Sequence, residues 1–374
     1  MSSQMKISTV SSPAEMDAFI RLPWAIYAGD PHWVPPLVDA ERKMLDPKKN
    51  PFYDRTEAKH FLLSNGKGPV GRISAFVNRG HNEFHSEKTG FWGYFESPDD
   101  PEAAQALFGA AEDWVKERGM NRIRGPVNPS MNDPCGLLVD GFDTDPYVLM
   151  THNPRYYSKL VEGRGYAKSM DLLAYMIDDT SLAREKIDRV ARRVQERADV
   201  RIRSVDLSRF DDELAIVKDI YNNGWEKTWG FLPMTDSEIR FTANDLKAII
   251  LPEFAYIAEV SGKPVGFSLA LPDINRALKK ANGSLLPLAW WGFLKFNLRK
   301  IPTLRLFALG VKRDYHHLGL GPLFYQKYIV EGLKRCVRTA ELSWILENND
   351  LMNRPIQRMG GRVYKTYRIY DRAL

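Results

Sequence analysis

The chain repeats itself, and this restricts its fold more than any other feature. Pro-Val-Gly occurs in GPVGRISAF (Gly68 to Phe76) and again in KPVGFSLAL (Lys263 to Leu271). An apolar run precedes each copy, HFLLS in one and FAYIAEV in the other, so each reads as two strands joined by a Gly-containing hairpin turn. Pro264 follows Pro69 by 195 positions, and Gly360 in RMGGRVY follows Gly165 in EGRGYAK by the same 195. Two separated segments at one offset imply tandem copies of one fold. Each copy reads as strand, helices, hairpin strands, strand, helix, strand, helix and terminal strands. The pattern predicts an α/β (α+β) chain of two tandem mixed sheets flanked by helices. The boundaries fall at 1–178 for the first copy, 179–200 for a linker helix and 201–374 for the second.

Composition fits this plan and excludes several classes. At 374 residues two domains are expected. Two cysteines, Cys135 and Cys336, cannot form a disulfide framework, and no Cys/His spacing matches a zinc or iron-sulfur site, so no metal is expected. The opening MSSQMKISTV lacks the apolar core of a signal peptide, and the expectation is a reducing cytoplasm. The net charge of +6 spreads along the chain, with one concentration between Ala183 and Arg203. Acids interrupt that run: Glu185 stands four before Arg189, and Asp188 four before Arg192, spacings that suit ion pairs on a solvated helix. Nucleic acid is not expected as a partner.

Chemistry concentrates in LGVKRDYHHLGLGPL, from Leu309 to Leu323. An apolar strand ends at Val311, His316-x-x-Gly319-x-Gly321 comes next, and a helical run begins. Gly319 and Gly321 let backbone approach a ligand closely. The opening helix adds unpartnered N–H groups and the positive end of its dipole, a setting for a phosphate.

These residues resemble the GNAT acyltransferase superfamily, whose pyrophosphate loop reads V-x-x-x-Y-[QR]-x-x-G-x-[GA]. Val311, Tyr315, Gly319 and Gly321 fall in register, with His316 where the family has Gln or Arg. Asn349 precedes Gly360 as in the family's N-x(10)-G, but Ile356 stands where the family's general-acid Tyr is usual. The resemblance implies two GNAT-like sheets, with acetyl-CoA or a longer acyl-CoA as co-substrate and an N-acyltransferase reaction, acetyl transfer the leading case, by direct amine attack, in which proximity supplies much of the rate. It implies that the backbone of Leu309, Gly310 and Val311 polarises the thioester. The loop of His316, His317, Leu318, Gly319, Leu320 and Gly321 then holds the pyrophosphate, and Asn349 contacts CoA or caps the following helix. Glu347, ending the strand ELSWIL, is the candidate base; Tyr364, Tyr367, His316 or His317 are candidate acids. Trp225 and Trp229 fall in the region lining the acceptor side, with core packing as the competing role. The acceptor is a small-molecule or lipid amine, a long-chain amino base among the alternatives. Loss of turnover, leaving an acyl-CoA-binding protein, is the rival reading that Ile356 raises. Oligomeric state is not indicated.

The two halves differ where ligand should sit. In the first, Glu96, Asp99, Asp100 and Glu102 occupy the place of the Gly loop, and acids repel phosphate; CoA is therefore expected only in the second. The first half carries a long loop, Arg124 to Phe142, in which Asn128 and Asn132 either wall a substrate site or fix an Ω-loop. Cys135 within it reads as a small buried hydrophobe. An insertion peculiar to the second half, Ser284 to Pro302, contains Trp290, Trp291, Phe293 and Phe296. Rings of this size need cover. The core, an acyl chain, or peripheral membrane contact through residues 284–300 are the three options, the run being too short to span a bilayer.

Overall fold

A computed structural model describes residues 5–197, 199–284, 298 and 300–374. The aromatic insertion, with Trp290, Trp291, Phe293 and Phe296, lies outside the described residues. Contacts divide the chain into two units. The first comprises Met1–Leu172, Asn275–Leu285 and Lys365–Leu374, and the second Leu173–Ile274 and Leu286–Tyr364.

The strands in chain order begin with β1 (Lys6–Thr9), β2 (Thr56–Ser64), β3 (Pro69–Asn78), β4 (Thr89–Glu96), β5 (Arg122–Gly125), β6 (Leu137–Asp140) and β7 (Ala167–Asp178). They continue with β8 (Val200–Ser204), β9 (Ala255–Val260), β10 (Lys263–Pro272), β11 (Thr303–Val311), β12 (Thr339–Leu346) and β13 (Arg362–Ala373). Each unit is a mixed sheet with helices on its faces. In the first, β1 to β4 run antiparallel in order and β4 pairs with β5 in parallel. In the second, β8, β9, β10 and β11 run antiparallel and β11 pairs with β12 in parallel. The 195-residue offset thus superposes like on like: β2–β3 and β9–β10 are the two hairpins.

Helix formation obeys local chemistry. Asp100 caps Pro101–Lys116, its carboxylate accepting from the amides of Glu102 and Ala103, with Pro101 in the first turn. Ala104, Leu107, Phe108, Ala111 and Val115 recur at helical spacing and bury one face. That face meets Phe61, Leu63, Ile73, Ala75 and Trp92 from the sheet, forming the first unit's core.

Two features depart from the boundaries expected from sequence. Helix Arg184–Arg197, read as a linker over 179–200, is a layer of the second unit: its Ala191 and Val194 pack with Leu320, Leu323 and Phe324, and Asp188 accepts from Gln326 at 2.8 Å. The end of the chain belongs to the first unit. There β13 pairs with β5, Tyr370 facing Gly125, and with β6. Arg368 grips Asp171 at 2.8 and 3.0 Å, and fully buried Lys365 donates to the Thr144 carbonyl at 2.8 Å. Among the described residues no helix is long and apolar enough to cross a membrane.

Candidate active site

In the second unit the site is set by two irregularities of β11. Leu269 faces Ala308 but Ala270 faces Leu306, so Phe307 is an extra residue, a bulge that bends the strand. Parallel pairing with β12 runs only from Thr303 opposite Thr339 to Leu306 opposite Leu342. Beyond that rung β11 continues to Val311 and β12 to Leu346 with no further pairing among the described residues. The two strands part in a V. Lys312 donates its amide to the Val265 carbonyl at 2.8 Å, so strand alternation turns the backbone groups of Val311 and Leu309 the other way, toward the V.

Around the mouth of the V the sequence-predicted residues converge. A Cβ on Gly310 would stand 2.4 Å from the Trp225 ring, and one on Gly224 would stand 2.7 Å from the Val311 carbonyl oxygen. The end of helix Phe210–Gly224 is thus pressed onto the strand, and only glycine permits it. Trp225 also meets Phe267 edge-on at 5.7 Å; Trp229 is half-buried in the turn beyond. A 3-10 turn, Arg313–Leu318, carries the chain from β11 to helix Gly321–Lys334. Asn223 anchors its start by accepting from the Arg313 amide at 2.9 Å. His316 turns back, its Nε2 2.8 Å from the Val311 carbonyl oxygen, and His317 is exposed. Gly319 adopts φ +64°, with nothing within 4 Å of where a Cβ would be. The helix starts at Gly321 with no side-chain cap from Leu320.

On the β12 side the placements are less uniform. Glu347 is exposed beyond the strand end, and its carbonyl, with that of Leu346, accepts from Asn353 at 3.2 and 3.0 Å. Asn349 stands at the N-cap of helix Asp350–Arg358 without a capping side-chain bond. Ile356 is fully buried, so the position that carries Tyr elsewhere is core here. Tyr367 is fully buried in the first unit. Tyr364 is half-buried and donates to Glu341 Oε1 at 2.5 Å. Glu341 was not among the residues expected from sequence, and it is 0% exposed. Its second oxygen accepts from Ser343 at 3.1 Å, and Arg305, facing it in register across β11, donates to Ser343 at 3.2 Å.

The opposite face of the same strands is apolar. A cavity of about 760 Å³, its open mouth included, lies under helix Gly321–Lys334, lined by Leu304, Leu306, Ala340, Leu342, Ile329 and Leu333 among others. Leu306 and Leu342 are also the last paired rung, so this cavity begins where the V begins.

The first unit has the same bulge but no open V. Arg72 faces Glu96 while Ser74 faces Gly93, so β4 carries the extra residue. After Phe91 opposite Arg124 the gap is closed: Val127 donates to the Trp92 carbonyl at 2.9 Å, and Asn128 Oδ1 accepts from the Tyr94 amide at 2.7 Å. A side-chain carbonyl thereby occupies the bulge amide from within. The Asn132 amide is held by Ser130 Oγ at 3.1 Å, and Cys135 is buried and bridged to Val127. Glu96 is buried, accepting from Tyr157 at 2.7 Å beside Arg72, and burial raises its pKa.

A mixed sheet with a bulged fourth strand, built twice, and in the second copy a V against the fifth strand and a glycine turn into a helix, defines a tandem GNAT fold. No family model matches the chain. It is similar to a tandem GNAT protein from the clavulanic acid biosynthesis pathway (TM-score 0.56, 11% identity, covering 99% of this chain and 98% of that one), a likeness of fold. It is 37% identical to the bacterial ceramide synthase of Caulobacter vibrioides, over 99% of this chain and 98% of the relative. Protein YghO of Escherichia coli is 34% identical over 100% of this chain and 97% of its own length. The chain belongs to the family that these two bacterial proteins share.

Proposed function

We propose that the second unit transfers a long acyl chain from CoA to the amine of a lipid. The carrying observation is the parting of β11 and β12 beyond Leu306 and Leu342, at the end of a strand that leads into the glycine turn. The thioester lies in the V, its carbonyl oxygen on a backbone amide of Leu309 or Val311. Such a preorganised donor stabilises the charge that develops as the amine attacks. The pyrophosphate lies against Gly319 to Gly321, where helix N–H groups and dipole favour an anion. The acyl tail enters the apolar cavity at the foot of the V. Each buried methylene contributes about 0.8 kcal/mol, roughly a fourfold gain in affinity per carbon until the cavity is filled. The relative that is named a ceramide synthase supports a long-chain amino base as acceptor.

Thermal stabilisation by CoA, acetyl-CoA and palmitoyl-CoA tests the donor. Palmitoyl-CoA is expected to raise the melting temperature most, and Gly319→Glu to abolish every shift, because it adds a charge opposed to phosphate and a Cβ at positive φ. Amide formation from palmitoyl-CoA and sphinganine, followed by mass spectrometry, tests turnover. A shift without product would favour the acyl-CoA-binding alternative raised by Ile356; no shift with any thioester would sink the assignment of the loop.

A further inference from the structure

We propose that Tyr364 and Glu341 form the proton relay of the transfer reaction, Tyr364 touching the attacking amine and Glu341 acting behind it as its positioning residue. The proposal rests on the second unit's V being the acyl-transfer site.

Arg305 and Glu341 face each other one rung before the last pair of β11 and β12, and Ser343 is the first β12 residue past that pair. The cluster therefore sits at the foot of the V. Strand alternation puts Arg305, Glu341 and Ser343 on the face opposite Leu304, Leu306, Ala340 and Leu342. The acyl cavity takes one face and the relay the other, so donor tail and acceptor approach the thioester from opposite sides.

A fully buried carboxylate is costly unless hydrogen-bonded, and each oxygen of Glu341 is: Oε1 accepts from Tyr364 at 2.5 Å, Oε2 from Ser343 at 3.1 Å. Arg305 Nε stands 3.6 Å from Oε2 and donates to Ser343 at 3.2 Å, and its guanidinium lies over Phe307 and Trp344, 5.4 and 5.1 Å from the ring centroids. The carboxylate is 0% exposed whereas Tyr364 is half-buried, so the phenol is the member that can reach a ligand. A phenol whose proton is already directed at a carboxylate presents its oxygen lone pair outward as a base. Glu347, the residue first expected in this role, is exposed beyond the end of β12.

In the transfer step the substrate ammonium first gives one proton to Tyr364 Oη, whose own proton passes to Glu341, and the freed amine nitrogen then forms its bond to the thioester carbon. The C–S bond then breaks, and CoA leaves with the electron pair as thiolate. Of the two protons an ammonium loses overall, one ends on the CoA thiol and the other returns to solvent through the relay.

The test compares two nucleophiles on palmitoyl-CoA with thiol release as readout: sphinganine, protonated near neutral pH, and hydroxylamine, already neutral. Tyr364→Phe and Glu341→Gln are each expected to slow the sphinganine reaction at least 100-fold at about pH 7, within the usual range of acid–base contributions. The deficit should shrink as pH approaches that of the free amine. Hydroxylamine release should stay within about threefold of wild type, which also reports an intact fold and thioester site. Equal losses with both nucleophiles, or no loss with either, would overturn the relay. Wild type inert to both would instead overturn the acyl-transfer reading, and the relay with it.

Discussion

His60 on β2 titrates well below the ordinary histidine range. Its Nδ1 lies 2.7 Å from Ser74 Oγ, and burial, helped by Arg72 and Lys59, pushes its pKa from 6.5 to about 4. The folded protein therefore holds it neutral where the unfolded chain would protonate it. Between pH 6.5 and about 4 the unfolded state binds more protons, so stability falls on acidification, at most about 1.4 kcal/mol per pH unit from this group. Urea midpoints measured across that window should fall more steeply for wild type than for His60→Gln; parallel slopes would show that the ring is not held neutral. Single residues were unevenly legible. Gly319 was identifiable because a turn into a helix needs it, and its φ of +64° agrees. Glu341 was not, because ELSWIL reads as one apolar strand, and a buried Glu two before Ser343 gains meaning only when Arg305, thirty-six positions earlier in the chain, is seen opposite it.

At the scale of elements, the two fourth strands share a bulge and diverge in the segments that succeed them. The strands and hairpins were readable from alternation and turn residues. The bulges at Phe307 and on β4 were not, since an extra residue is defined only by its partner strand's register. Nor was the closure of the first unit's gap by Asn128, which the sequence offered as a substrate-site wall or a fixed point of an Ω-loop rather than as a plug in the sheet. In the second unit the cavity proposed for the acyl tail has a few small residues in its lining, Ala270 and Gly332 among them. Ala340 of β12 lines it, and a larger side chain there would take the space proposed for the distal tail. Ala340→Phe is expected to lower kcat/KM for palmitoyl-CoA at least tenfold while leaving hexanoyl-CoA within about twofold. Equal losses for both chain lengths would place the tail elsewhere.

The whole molecule is two copies of one plan, one with its V sealed and one with it open. The repeat was legible as a constant offset. The route of the chain was not: β7 begins in one unit and ends in the other, and β13 returns, yet a strand has the same local pattern whichever sheet receives it. This return bears on how the protein is made. Lys365–Leu374 complete the first unit, supplying Arg372 to Glu112 at 2.6 Å and Asp371 to Arg124 at 2.8 Å. They are translated after the entire second unit. On a ribosome, the sheet begun first must wait for its closing strand with Arg124 and Glu112, each buried in the finished fold, still lacking those partners. Order of synthesis and order of completion are thus reversed, and a chaperone that holds the nascent first unit has a defined interval in which to act.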